Sequence, residues 1–121
     1  MPPDQHILVV EDDPDTRQAM TTVLELEGYE VVSVANGKEA LEHMRRDGRP
    51  AVILLDLMMP VLDGWQFRAE QKQDQSLASI PVVVVSADGA VQQKAASLGA
   101  AGYLQKPVEV DELLRVVGQY S

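Results

Sequence analysis

Short apolar runs alternate with longer amphipathic stretches five times along this chain. The runs fall at residues 7–10, 31–34, 52–55, 82–85 and 103–104 and are rich in Val, Ile and Leu. Most are continuous rather than alternating, which is how strands covered by helices on both faces read, and such strands form parallel sheets. Between the runs, apolar residues recur at helical spacing. Asp13 reads as an N-cap with Pro14 at the first helical position, where a missing N–H removes no hydrogen bond. Ala19, Met20, Val23 and Leu24 form that helix's apolar stripe, and Gly28 is its stop. A second helix starts near Asn36 and Gly37, buries Ala40, Leu41 and Met44, and ends at Gly48. Asp63 caps a third, which has the weakest stripe and along which Trp65 and Phe67 pack or form the edge. A fourth runs from about Ala90 to Leu98 and stops at Gly99. A fifth follows Pro107, with Glu109, Asp111 and Glu112 in a first turn whose dipole favours acids, and Leu113, Leu114, Val116 and Val117 facing the core.

No Gly-rich, Ser-rich or low-complexity linker interrupts this βα repeat, and 121 residues with 45% apolar content make one domain with one core. Charge then narrows the function. With 10 Lys plus Arg against 19 Asp plus Glu, the net charge of −9 repels nucleic-acid phosphates and suits basic partners or cations, so DNA binding by this domain alone is disfavoured. The absence of Cys removes disulfides and thiolate chemistry and fits a reducing compartment. Residues 1–6 contain no apolar signal core, and no run approaches the ~18 residues of a membrane span. His6 and His43 have no ligand spacing between them and are expected on the surface.

The chemistry sits at the ends of the apolar runs. Glu11, Asp12 and Asp13 follow the first, Asp56 the third and Lys106 the fifth. In open sheets of this kind the ligand site lies beyond the carboxyl ends of the strands. In a flavodoxin-like order, 2-1-3-4-5, strands one and three are neighbours at the switch point, which brings Glu11 and Asp12 beside Asp56. The expected fold class is therefore α/β, a doubly wound five-stranded parallel sheet of (βα)5 type.

The strings ILVVEDDP, LLDLMMPVLDG, PVVVVSA and YLQKP stand in this order, each at the end of an expected strand. Together they make the chain resemble the receiver domain of two-component response regulators over nearly all of residues 6–119, so residues 1–121 are expected to be a single such domain. The resemblance implies a phosphoacceptor at Asp56, an acidic pair at Glu11 and Asp12, a hydroxyl at Ser86 and a lysine at Lys106. The family pair occupies the two positions after Val10, which leaves Asp13 to its role as a helix cap. The resemblance also implies a cis peptide before Pro107 and a switch aromatic at Tyr103. Phosphate would be signalled through the fourth helix, fifth strand and fifth helix.

Three converging carboxylates raise one another's pKa unless a cation neutralises them, so a divalent metal is implied. Oxygen-only ligands and the need for open positions favour Mg²⁺. By resemblance Asp12 and Asp56 bind it directly, Glu11 acts through water and the Met58 backbone carbonyl adds an oxygen. A Ca²⁺ loop fails because Asp13, Asp15 and Arg17 break the alternating-acid pattern and its glycine is missing. Asp56 would take a phosphoryl group from phosphohistidine on a sensor histidine kinase or a phosphotransfer protein, with Lys106 and Ser86 holding phosphoryl oxygens. Met58 and Asp88 flank the path of attacking water. Met58 cannot orient a water whereas an acid at position 88 can, and a phosphoryl lifetime in the family's middle range is expected.

Other readings fare worse. A phosphatase of haloacid-dehalogenase type needs an acid two residues after its nucleophile, where this chain has Met58, and a flavodoxin-like electron carrier needs a Ser/Thr/Gly phosphate loop after strand one. A receiver signalling by phosphate-independent contacts is opposed by the intact set of five residues. Two-component signalling implies a cytoplasmic protein, not itself an enzyme beyond its own phosphotransfer and dephosphorylation, with room for a phosphorylation-dependent dimer. Met1 suggests a natural amino end, and the chain is expected to be either a stand-alone regulator or the isolated receiver of something longer.

Overall fold

A computed structural model describes residues 6–57 and 62–120. Five strands, β1 (Ile7–Val10), β2 (Val31–Val34), β3 (Val52–Asp56), β4 (Val82–Ser86) and β5 (Gly102–Gln105), alternate with five helices, α1 (Pro14–Leu26), α2 (Gly37–Asp47), α3 (Gly64–Gln73), α4 (Val91–Leu98) and α5 (Val110–Gly118). The strands form one parallel sheet in the order β2-β1-β3-β4-β5, the doubly wound arrangement expected above.

Successive strand residues point to opposite faces, and the core divides accordingly. Leu8, Val10, Ile53, Leu55, Val82 and Val84 pack under α2, α3 and α4, whereas Ile7, Val9, Val52, Leu54, Val83 and Val85 pack under α1 and α5. The three central strands are buried throughout, which is why they read as unbroken apolar runs. β2 and β5 form the edges and are only partly covered.

The caps fall where local chemistry demands. Asp13 accepts from the Thr16 N–H, Asn36 from the Glu39 N–H, and Asp63 forms a reciprocal capping box with Gln66. α4 ends on Gly99 in the left-handed conformation, at φ +67°, where a Cβ would be strained. Gly64 serves a different purpose. A Cβ there would lie 2.8 Å from the Leu57 Cα and 3.0 Å from the Asp56 carbonyl oxygen, so its lack of a side chain lets α3 start against the end of β3.

Three expectations are corrected. Ala19 is exposed rather than buried, because the stripe of α1 that meets the sheet is Met20 and Leu24 with Val23 at its margin. Leu114 is only partly buried at the edge of the α5 stripe. His6 is buried, and its Nε2 lies 2.9 Å from the Nε2 of His43 on α2, with the rings edge to face. His6 continues the every-second-residue face of Leu8 and Val10, which turns it towards α2. Among the described residues, no helix is long and apolar enough to cross a membrane.

Candidate functional site

Register alone assembles the site. Val10 pairs with Leu55, so Glu11 and Asp56, each one residue further on, emerge side by side from β1 and β3. Asp56 in turn pairs with Val85, and Ser86 with Gln105, so Ser86 and Lys106 follow at the ends of β4 and β5. The Lys106 N–H donates to the Ser86 carbonyl at 2.8 Å. The Lys106–Pro107 peptide bond is cis. Glu11, Asp12, Asp56, Ser86, Asp88 and Lys106 line one cavity of about 340 Å³.

Within it, Glu11, Asp56 and Ser86 are buried on the floor, and Asp12 is exposed. Lys106 Nζ approaches Glu11 Oε1 at 2.6 Å and Asp56 Oδ2 at 3.6 Å. Burial alone would favour the neutral amine, but the Glu11 and Asp56 carboxylates outweigh it and raise the Lys106 pKa above its ordinary 10.5. The other Glu11 oxygen accepts from the Asp13 N–H at 3.1 Å, and the Arg17 guanidinium donates to the Glu11 carbonyl at 2.9 Å. Asp13 also lines the cavity, but its carboxyl is engaged at the start of α1. Hydrogen bonds from the Thr16 hydroxyl and N–H hold its carboxyl below the usual carboxylate range, as a helix cap requires.

Replacing Lys106 by Met leaves the buried Glu11 without its cation. We expect Lys106→Met to be less stable by about 1–3 kcal/mol at pH 7 without divalent cations, the cost of a buried polar group losing its partner. Since the folded-state pKa is raised, the stabilisation is complete below the unfolded value and fades as pH climbs through the folded one, above 10.5. Urea unfolding of both proteins from pH 7 to pH 11.5 measures this. A gap that is absent at pH 7, or that widens above pH 10.5, would contradict it.

The cluster also suits a hard cation. Oxygens of Glu11, Asp12 and Asp56 all lie within 4.8 Å of one another. Among the described residues, buried Glu11 Oε1 has the Lys106 ammonium as its partner, in an ion pair at 2.6 Å. An oxygen-only set with one exposed member matches Mg²⁺, which keeps several waters. Met58, expected to add a carbonyl and to tune lifetime, lies outside the described residues. Tyr103 stands apart from the cavity on β5, 41% exposed.

Two features escaped the sequence reading. Lys94, on α4, lines the cavity and pairs with Asp88, and with the Ala90 N–H it holds the Asp88 carboxyl below its ordinary range. The buried Arg68 of α3 donates to the Leu98 and Gly99 carbonyls at 3.0 and 2.9 Å, capping the end of α4, and to Gln71 at 2.7 Å. The spacing of Lys94 from Asp88 carries no signal until the β4–α4 loop is folded. Arg68 and Gln71 occupy the core-facing side of α3 and thereby explain its weak apolar stripe.

The model of the response regulator receiver domain family matches residues 7–118. Protein PilH of Pseudomonas aeruginosa is 33% identical over 92% of this chain and 93% of its own length. The DNA-binding dual master transcriptional regulator RpaA of Synechocystis is 34% identical over 89% of this chain, which spans only 45% of that protein. Among solved structures, the receiver domain of a sensor histidine kinase from Pseudomonas aeruginosa, with a magnesium ion coordinated in its active-site cleft, superposes with a TM-score of 0.86 at 32% identity over 96% of both chains. A matched family model over almost the entire sheet, and relatives this similar along their receiver portions, place the chain in the response regulator receiver domain family of two-component signalling.

Proposed function

We propose that the chain is a phosphorylation-activated switch with Asp56 as its phosphoacceptor. One observation carries this reading: the β1–β3 register sets a buried carboxylate, Asp56, beside Glu11 and within reach of the Lys106 ammonium at the switch point of the sheet. An Asp56 oxygen attacks phosphorus, forming the acyl phosphate as the N–P bond of phosphohistidine breaks and the imidazole nitrogen keeps the electron pair. Glu11, Asp12 and Asp56, with the Met58 carbonyl, would hold Mg²⁺, which neutralises the carboxylates and the charge of the phosphoryl oxygens. Lys106 turns from Glu11 to a phosphoryl oxygen, and the Ser86 hydroxyl donates to another. The donor is a sensor histidine kinase or a phosphotransfer protein, and the setting is the cytoplasm.

The signal leaves through the face of α4, β5 and α5, where Tyr103 and Val110 are exposed, to a partner protein or an output domain. Tyr103 stands outward, the position from which its ring can turn in when Ser86 is drawn to phosphate.

Incubation with acetyl phosphate and Mg²⁺, followed by intact mass, tests the reading. One labile phosphoryl adduct, absent with excess chelator, is expected. A folded protein that acquires none would favour phosphate-independent signalling.

A further inference from the structure

Among the described residues, Lys94 is the only basic residue besides Lys106 that lines the acidic cavity. It reaches the rim from α4, with its side chain 32% exposed, and its ammonium pairs with Asp88 Oδ2. Asp88 is a junction. Its N–H donates to Ser86 Oγ at 3.1 Å, its Oδ1 accepts from the Ala90 N–H at 2.7 Å, and its carbonyl accepts from the Val91 N–H at 3.2 Å. Ser86, the start of α4 and Lys94 are thus tied to one residue.

We propose, building on Asp56 as phosphoacceptor, that Lys94 is a second cation for the phosphoryl group: Asp88 holds it off in the unphosphorylated domain and yields it to a phosphoryl oxygen once Asp56 is modified. Charge drives the exchange. A phosphoryl group carries about −1.5 to −2 charges against the single charge of Asp88, so it competes well for a rim ammonium. Lys106, once turned from Glu11 to the phosphoryl group, brings only one positive charge against that group's greater negative charge. Movement of Ser86 Oγ towards the phosphoryl group loosens the Asp88 turn in the same step and releases Lys94 together with the first turn of α4.

Position then sets the kinetic sign. Asp56 lies on the buried floor and Lys94 at the rim, so an ammonium on the phosphoryl group covers the side from which water attacks in line with the Asp56–phosphorus bond. Lys94 therefore lengthens the phosphoryl lifetime. Asp88 shortens it by keeping Lys94 away, which differs from a direct action of Asp88 on the water.

The test phosphorylates the wild type, Lys94→Met, Asp88→Asn and the double variant with acetyl phosphate, removes the donor and follows adduct loss by intact mass at constant Mg²⁺. Lys94→Met should lose phosphate about three-fold faster and Asp88→Asn about three-fold slower, the scale of a partly exposed ion pair. The double variant should match Lys94→Met. A Lys94→Met half-life equal to wild type would overturn the proposal, as would an Asp88→Asn effect of full size without Lys94, which assigns Asp88 directly to the water. Failure of the wild type to form any adduct overturns the phosphoacceptor reading itself, and so is distinct from a normal adduct whose lifetime ignores Lys94.

Discussion

Asp56→Asn is expected to abolish phosphoryl acceptance while the domain stays folded. The amide that replaces the carboxylate is neutral, its oxygen is a poor nucleophile, and no acyl phosphate can form on it. Neighbouring acids do not substitute. One Glu11 oxygen pairs with Lys106 and the other accepts from the Asp13 N–H, so its lone pairs are directed inward. The Asp13 carboxylate is held by two Thr16 hydrogen bonds at the start of α1, and Asp12 is exposed after β1, which β3 separates from β4 and its Ser86 in the sheet. The fold survives because the change removes one of the clustered negative charges and leaves Lys106 its nearer partner, Glu11, at 2.6 Å. Intact mass after incubation with acetyl phosphate and Mg²⁺ should show an adduct on the wild type and none on Asp56→Asn, with unfolding midpoints a few degrees apart at most. An adduct of wild-type yield on Asp56→Asn would move the phosphoacceptor to another residue.

How far the sequence reveals this site follows from where each residue stands relative to a strand end. Glu11 and Asp56 each come directly after a run of four buried apolar residues, so the β1–β3 register carries their proximity into the sequence pattern. Ser86 and Lys106 are readable in the same way at β4 and β5. Lys94 is not, because its link to Asp88 depends on how the β4–α4 loop folds back, and helical spacing says nothing about a contact across a cap. Ala19 fits the apolar period of α1 without being large enough to mark which side faces the sheet. His6 carries a signal, its two-residue spacing from Leu8, but it lies one residue before the strand, at the end of a terminal segment without an apolar pattern. α3 is the hardest case, since Arg68 and Gln71 stand on its buried side and interrupt the stripe with polar groups that are satisfied only by carbonyls remote in sequence, at Leu77, Ile80, Leu98 and Gly99.

That interrupted stripe makes Phe67 the principal apolar anchor of α3, and its removal should have the largest effect on stability. Its side chain is fully buried, the single large apolar group that α3 contributes to the core beneath α2, α3 and α4. A Cβ built on Gly37 would come within 3.1 Å of the Phe67 Cβ, so α2 and α3 pack closely at this point and little could collapse into the space. Phe67→Ala should therefore cost about 3–5 kcal/mol, transfer and cavity terms together. Against a total of about 5–15 kcal/mol for a domain, this is a large share of the stability. Urea unfolding should place the midpoint far below wild type, whereas Trp65→Ala, two residues earlier and 39% exposed, should change stability by only about 0.5 kcal/mol. Phe67→Leu should recover much of the loss by refilling the cavity. The consequence reaches the site, because α3 begins at Gly64 against the Asp56 carbonyl. At temperatures where Phe67→Ala is still folded it should accept phosphate on Asp56, and acceptance should fail together with the fold on warming. A Phe67→Ala domain within about 1 kcal/mol of wild type would mean that the Arg68–Gln71 network, rather than the aromatic ring, holds α3 in place.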